Sequence, residues 1–245
     1  MVEVDRIMVN ELKIPIELMM EQAGLSFARL AVAMAKQDST EFIIVAGSGN
    51  NGGGGLVAAR HLINWNHDVS VIIPKGNAAL REVPMTQLQR LRTMGVEPEE
   101  SLPLRLPDDA TVLDAYIGYG YTKRVDRQTR RVFESLKHHE RVISLDVPSG
   151  FDATTGMSES GIQPIATLTI AFVKTGLLLA KPHEIGDLYI CDIGVPSDIY
   201  LTRLDINWSE SYNASMLEEL NDAFARDPLC KVQLSSSGDQ RCWTL

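Results

Sequence analysis

Apolar residues along this chain fall into short continuous runs, separated by stretches in which they recur every three or four positions. The runs at 42–46, 69–73, 111–115, 141–146, 167–172 and 187–192 predict strands. Several are apolar throughout rather than alternating, as in strands buried on both faces of a parallel sheet. Helical periodicity fills 54–65, 79–94 and 126–138, and residues 5–36 read as helical with a break at Lys13-Ile14-Pro15. Such alternation predicts an α/β fold: a Rossmann-like three-layer αβα sandwich with a mostly parallel sheet. No linker divides it, so residues 1–208 are expected to form one domain. The extension 209–245 is expected to hold one helix, at 215–226, followed by irregular chain apart from the core.

Between the first strand and the next helix lies Gly47-Ser48-Gly49-Asn50-Asn51-Gly52-Gly53-Gly54-Gly55. A strand, a glycine loop and a helix N-terminus form an anion cradle of outward-pointing N–H groups, strengthened by the helix dipole. This points to a phosphorylated, nucleotide-like ligand. The loop lacks a Lys followed by Ser or Thr and is no Walker A motif. Gly47, Gly49 and Gly52 do satisfy G-x-G-x-x-G, which keeps an NAD(P)-dependent oxidoreductase open. That fingerprint also expects an acid near the end of the second strand, where this chain has Pro74-Lys75.

Ligands of open parallel sheets bind outside the carboxyl ends of the strands. Two further strand ends carry acids there, in Leu113-Asp114-Ala115 and in Leu145-Asp146-Val147-Pro148-Ser149-Gly150. If the sheet brings these ends together, Asn51, Asp114 and Ser149 present oxygens to one point. One carboxylate with two neutral oxygens suits a weakly hydrated monovalent cation better than a transition metal, which prefers imidazole or thiolate. Asp146 is then the free carboxylate, available for proton transfer.

Composition narrows the partners. The 245 residues carry a net charge of −9, which argues against a dedicated nucleic-acid surface. Cys191, Cys230 and Cys242 are too few and too scattered for a disulfide framework and suggest a reducing compartment. No run approaches transmembrane length and the N-terminus lacks a secretory pattern, so no membrane partner and a cytoplasmic location are expected. The methionine-rich stretch Ile16–Gly24 is read either as core packing or as a partner-facing helix in a dimer, since methionine adapts to irregular contacts.

Together these segments resemble the NAD(P)H-hydrate epimerase family (YjeF N-terminal-like domain). The resemblance rests on Gly49-Asn50-Asn51-Gly52-Gly53, on Gly55 through Leu62, and on Asp146-Val147-Pro148-Ser149-Gly150-Phe151-Asp152. It extends to Leu18 through Gly24, Lys174-Thr175-Gly176, Gly186-Asp187-Leu188-Tyr189 and Asp192-Ile193-Gly194-Val195-Pro196, and covers residues 4–200. It implies a homodimer that interconverts the R and S forms of hydrated NADH and NADPH, repairing a damaged cofactor. It further implies substrate contacts from Asn50, Asn51, Gly52, Gly53 and Gly54 and from Gly118, Tyr119, Gly120, Tyr121, Thr122, Lys123 and Arg124. Asp146 would be the substrate-binding catalytic acid, first protonating the departing hydroxyl and then acting as base. Asn51, Asp114 and Ser149 would bind a potassium ion. Many microbial relatives carry a fused dehydratase; here a dehydratase partner would be a separate protein.

Two positions depart from the family pattern. Gly54 stands where the family loop, Asn-Asn-Gly-Gly-Asp-Gly, has Asp, and Thr167 stands where Asp is usual. The first leaves a second reading open, of a catalytically impaired member kept as a nucleotide- or protein-binding module.

Overall fold

The structure, a computed structural model, describes residues 1–35, 41–122, 125–197, 199–200, 214–237 and 240–244, without the side chains of 214–216 and from 235 onward. Strand β1 (Phe42–Ala46) lies between β2 (Val69–Ile72) and β3 (Thr111–Ala115). Strands β4 (Val142–Leu145), β5 (Ala166–Ile170) and β6 (Asp187–Cys191) follow outward from β3. All six are parallel. The strand order reverses between β1 and β3, the topological switch point where open sheets place their ligands.

Alternate residues of each strand serve opposite faces. Phe42, Ile44, Ala46, Leu113 and Ala115 pack in one cluster with Phe27 and Leu30 of α2 (Ile16–Met34) and with Leu56 and Leu62 of α3 (Asn50–Asn64). Ile43, Val45 and Val112 face the other way, toward Val132, Phe133 and Leu136 of α5 (Arg127–Lys137). Both faces are covered, which is why the strands read as unbroken apolar runs.

The glycine run is helix rather than loop. Helix α3 starts at Asn50, ahead of the predicted 54, and encloses Gly52–Gly55 in its first turns. Glycine disfavours helix by about 1 kcal/mol per residue relative to alanine, so packing overrides propensity here. A side chain at Gly52 would run into the Gly47 carbonyl oxygen, and one on Gly24 of α2 would lie 2.5 Å from the Val57 side chain. The missing side chains let α3 rest directly on the end of β1 and against α2.

The C-terminal extension also departs from expectation. After α8 (Ala214–Arg226), β7 (Leu229–Ser237) adds to the sheet antiparallel to β6, and β8 (Gln240–Thr244) pairs antiparallel to β7. The alternation Cys230, Val232, Leu234 against Lys231 and Gln233 is a half-buried strand pattern. Val232 and Leu234 pack with Leu188, Ile190 and Leu220, so the segment is part of the core and not a loose tail.

Helix α5 is capped by Asp126, whose carboxylate accepts from the Thr129 N–H at 2.7 Å. That hydrogen bond, with help from Lys75 at 3.0 Å, lowers the Asp126 pKa to about 2. A depressed carboxyl pKa stabilises above the unfolded-state value and loses that stabilisation as pH falls through the folded one. Asp126→Ala is therefore expected to cost about 1 kcal/mol at neutral pH. The difference from wild type should vanish in urea melts near the bottom of that window.

Candidate functional site

Three strand ends converge at the switch point. Ala46 pairs with Ala115 in register, Asp114 pairs with Ser144, and Leu145 pairs with Leu168. The ends of β1, β3 and β4 thus form one edge, and a cavity of about 540 Å³ opens above it. That volume lies within the roughly 300–1,000 Å³ usual for small-molecule sites.

Asp146 leaves β4 in a left-handed backbone conformation, φ 70°. Few side chains tolerate this region, and aspartate is among those that do. The strand pairing holds it there, because its N–H still donates to Leu168 O at 2.6 Å. The turn through Pro148 and Gly150, closed by the Phe151 N–H on Pro148 O at 2.9 Å, fixes the chain behind it, with Phe151 fully buried. The carboxylate is gripped on both oxygens. Oδ2 accepts from the Tyr119 N–H at 2.7 Å, and Oδ1 lies 2.5 Å from Lys174 Nζ. The two side chains of this ion pair are only 3% and 5% exposed. Lys174 also donates to Ile170 O at 2.8 Å and Thr169 Oγ1 at 3.0 Å, which fixes the ammonium beside the carboxylate. Lys174 was visible in the sequence only as part of a turn motif. A lysine closing the apolar run Ala171-Phe172-Val173 was the available signal, since a buried ammonium demands a partner.

Asp114 is a second buried carboxylate with a different environment. Oδ2 accepts from Ser149 N at 2.8 Å and Ser144 Oγ at 3.0 Å; Oδ1 accepts from Ser149 Oγ at 2.5 Å and Tyr116 N at 3.3 Å. Burial pushes its pKa up, and these hydrogen bonds, Ser149's first, oppose the rise. Among the described residues no basic side chain pairs with it. Ser149 Oγ accepts from Ile117 N at 2.8 Å, which ties the β4 turn to the segment after β3.

Asn51 stands at the start of α3 beside these groups. A side chain at Gly118 would come within 2.8 Å of Asp146 Oδ2 and 3.0 Å of Asn51 Oδ1, so glycine there keeps the two apart from any obstruction. The buried Asn51 Nδ2 has no hydrogen-bond partner among the described residues. Asn50, Asn51, Gly54, Gly118, Tyr119, Gly120, Tyr121 and Thr122 all line the cavity with Asp146. Gly52 and Gly53 do not: Gly52 faces the Gly47 carbonyl and Gly53 faces the Met20 side chain. Lys123 and Arg124 lie outside the described residues. Met19 and Met20 are buried and line the cavity, so they do not form a partner-facing surface. Lys75 and Arg81 supply the cavity's cationic rim, Lys75 with Asp126 as its partner.

Gly54 carries the departure from the family pattern. A side chain there would approach Leu145 Cδ2 to 2.8 Å, so the leucine occupies part of the space that an aspartate needs. Gly54→Asp is expected to lower stability by about 1–3 kcal/mol through overpacking. Combined with Leu145→Ala, the losses should sum to less than additivity, since the truncation makes room. Urea unfolding of the two single variants and the double would measure the coupling.

A doubly wound sheet with a roomy cavity at its switch point and a buried, ion-paired carboxylate on the cavity wall defines a small-molecule-binding protein of the Rossmann-like class. The chain belongs to the family described as YjeF-related protein N-terminus, which it matches over residues 16–176. It is 36% identical over 224 residues to the NAD(P)H-hydrate epimerase of Dehalogenimonas lykanthroporepellens, covering 89% of each chain. It is 31% identical to the NAD(P)H-hydrate epimerase of Weissella koreensis, over 84% of this chain and 93% of that one. The match to the bifunctional NAD(P)H-hydrate repair enzyme Nnr of Thermofilum pendens is 32% over 74% of this chain but spans 36% of that protein. The fold is shared with the crystal structure of yeast ynu0, YNL200c, at TM-score 0.73 and 20% identity, over 94% of this chain and 96% of that one.

Proposed function

We propose that this protein is an isomerase that interconverts the R and S forms of hydrated NADH or NADPH. The observation that carries the reading is Asp146, a carboxylate fixed at the switch point between the Tyr119 N–H and the Lys174 ammonium and presented to a ligand-sized cavity. The named activity of the 36%-identical relative supports it. In the hydrate, the hydroxylated carbon neighbours the ring nitrogen. Protonation of the hydroxyl lets the nitrogen lone pair expel it as water, leaving a planar carbon; water added to the opposite face, with loss of a proton, gives the other epimer. Asp146 exchanges a proton with the oxygen in this sequence. The α3 N-terminus and the Lys75–Arg81 rim suit the phosphates of a dinucleotide.

The donor set also fits a potassium ion. Asn51, Asp114 and Ser149 offer oxygens only, and Asp114 is a buried carboxylate balanced by neutral donors alone among the described residues. No group of three His, Cys, Asp or Glu suited to a metal occurs among the described residues, which speaks against a transition-metal centre there. A bound potassium ion supplies a positive charge beside the ligand. A homodimer and a dehydratase activity that consumes one epimer complete the reading.

The test is direct. Purified protein incubated with the R hydrate and followed by chiral chromatography should bring it to an R/S mixture. Exchange of potassium for lithium, which is smaller and more strongly hydrated, should slow the approach several-fold. An R hydrate that stays at its uncatalysed rate in potassium would sink the reading.

A further inference from the structure

The cavity wall carries a second carboxylate. Asp5, on the short helix α1 (Val2–Arg6), lines the cavity, and its Oδ2 accepts from Tyr119 Oη at 2.8 Å. Tyr119 therefore spans two acids: its main-chain N–H holds Asp146 and its phenol holds Asp5, with a whole tyrosine side chain between them. Epimerisation by loss and return of water needs proton transfer on both faces of one carbon. A single fixed carboxylate reaches one face. Carboxyl groups set apart on the two sides of a reacting carbon are the usual solution when leaving group and attacking water occupy opposite faces.

We propose that the Tyr119 hydroxyl is the proton donor on the face opposite Asp146, and that Asp5 is the positioning residue that resupplies its proton. This rests on the epimerase reading above and divides its acid and base work. When Asp5 is protonated its hydrogen bond with Tyr119 reverses, so that Oη accepts from Asp5 and its own proton is free for the ligand. The departing hydroxyl takes that proton, and Oη takes the proton of Asp5. The carbon–oxygen bond breaks and the nitrogen lone pair forms the C=N bond. Water then bonds to the opposite face and gives its proton to Asp146. One proton has passed from Asp5 to Asp146, and exchange with solvent resets the pair. The reverse reaction retraces these steps.

The surroundings agree. Burial raises the Asp5 pKa, with the Tyr119 hydrogen bond opposing, so Asp5 retains a proton at higher pH than an exposed aspartate. Burial also raises the Tyr119 pKa, which keeps the phenol protonated as a relay requires. The charged groups that face Asp5 are the Met1 amino group, Asp146 and Lys174; Arg81 faces Tyr119.

The test compares wild type with Asp5→Asn, Asp5→Glu, Tyr119→Phe and the Asp5→Asn/Tyr119→Phe double variant. Rates of R-to-S conversion would be followed across pH, with thermal midpoints confirming folding. The proposal expects kcat to fall about 10²-fold in Asp5→Asn and in Tyr119→Phe with KM unchanged. The double variant should lose no more than either single one, as for residues acting as a unit. The wild-type rate should fall as pH rises through the Asp5 titration, that fall should disappear in Asp5→Asn, and Asp5→Glu should recover part of the rate. Full activity in Tyr119→Phe, or losses that leave the pH profile unmoved, would overturn the proposal alone. A wild type that fails to interconvert the epimers would overturn the underlying function and this inference with it.

Discussion

Asp146→Asn is expected to lower epimerisation by about 10²–10⁴-fold, the range set by removing a positioned acid or base. Asparagine is nearly isosteric and accepts the left-handed backbone of this position, so the turn behind it survives. Its carbonyl oxygen can still receive the Tyr119 N–H. What it cannot do is take up or release a proton. The loss should appear in kcat, with binding of the hydrate little changed. Chiral chromatography over a range of substrate concentrations separates the two, and a variant that keeps wild-type kcat would remove Asp146 from the chemistry.

The largest effect on stability belongs to Lys174. In Lys174→Met, the Asp146 carboxylate stays buried at the strand end without its cation, and Thr169 Oγ1 and Ile170 O lose the donor they share. Breaking a buried pair from one side costs roughly 3–5 kcal/mol, because an uncompensated charge remains. Removing both charges together costs far less than the two single losses combined. The Lys174→Met/Asp146→Asn double variant is therefore expected to recover much of the stability in urea melts while regaining no activity. A Lys174→Met protein as stable as wild type would show that Asp146 finds another way to balance its charge. Recovery in the double variant would show the opposite: the pair is kept for its chemistry and at a cost to the fold.

The sheet was legible because its strands are buried on both faces. Phe42–Ala46 is apolar throughout and Thr111–Ala115 is apolar but for Thr111 and Asp114, and the structure places both strands on the residues predicted. That Asp114 and Ser149 meet, and that Asn51 and Asp146 both approach Gly118, was legible because strand ends at a switch point are where such a sheet exposes polar groups. Lys174 and Asp5 were not, since each meets its partner from a distant part of the chain: Asp146 lies 28 residues before Lys174, and Tyr119 lies 114 residues after Asp5. The start of α3 was missed for a related reason. Glycine propensity points to a loop, and only the close approach of Gly47 and of α2 turns the run into helix. In the tail, Cys230, Val232 and Leu234 alternate with polar residues as a strand does, but the run Ser235-Ser236-Ser237-Gly238 that follows reads as loop. Local propensity failed where a distant element supplied the packing.

The left-handed backbone at Asp146 also governs how the site can change by mutation. Most side chains at φ 70° would strain or break the end of β4, and the residues that take this region readily are glycine, asparagine and aspartate. Drift at this position is thus channelled toward two replacements that leave the strand end intact, and neither carries a titratable group. A lineage can lose the reaction here in one step and go on inheriting the same fold, its cavity still open to the old ligand.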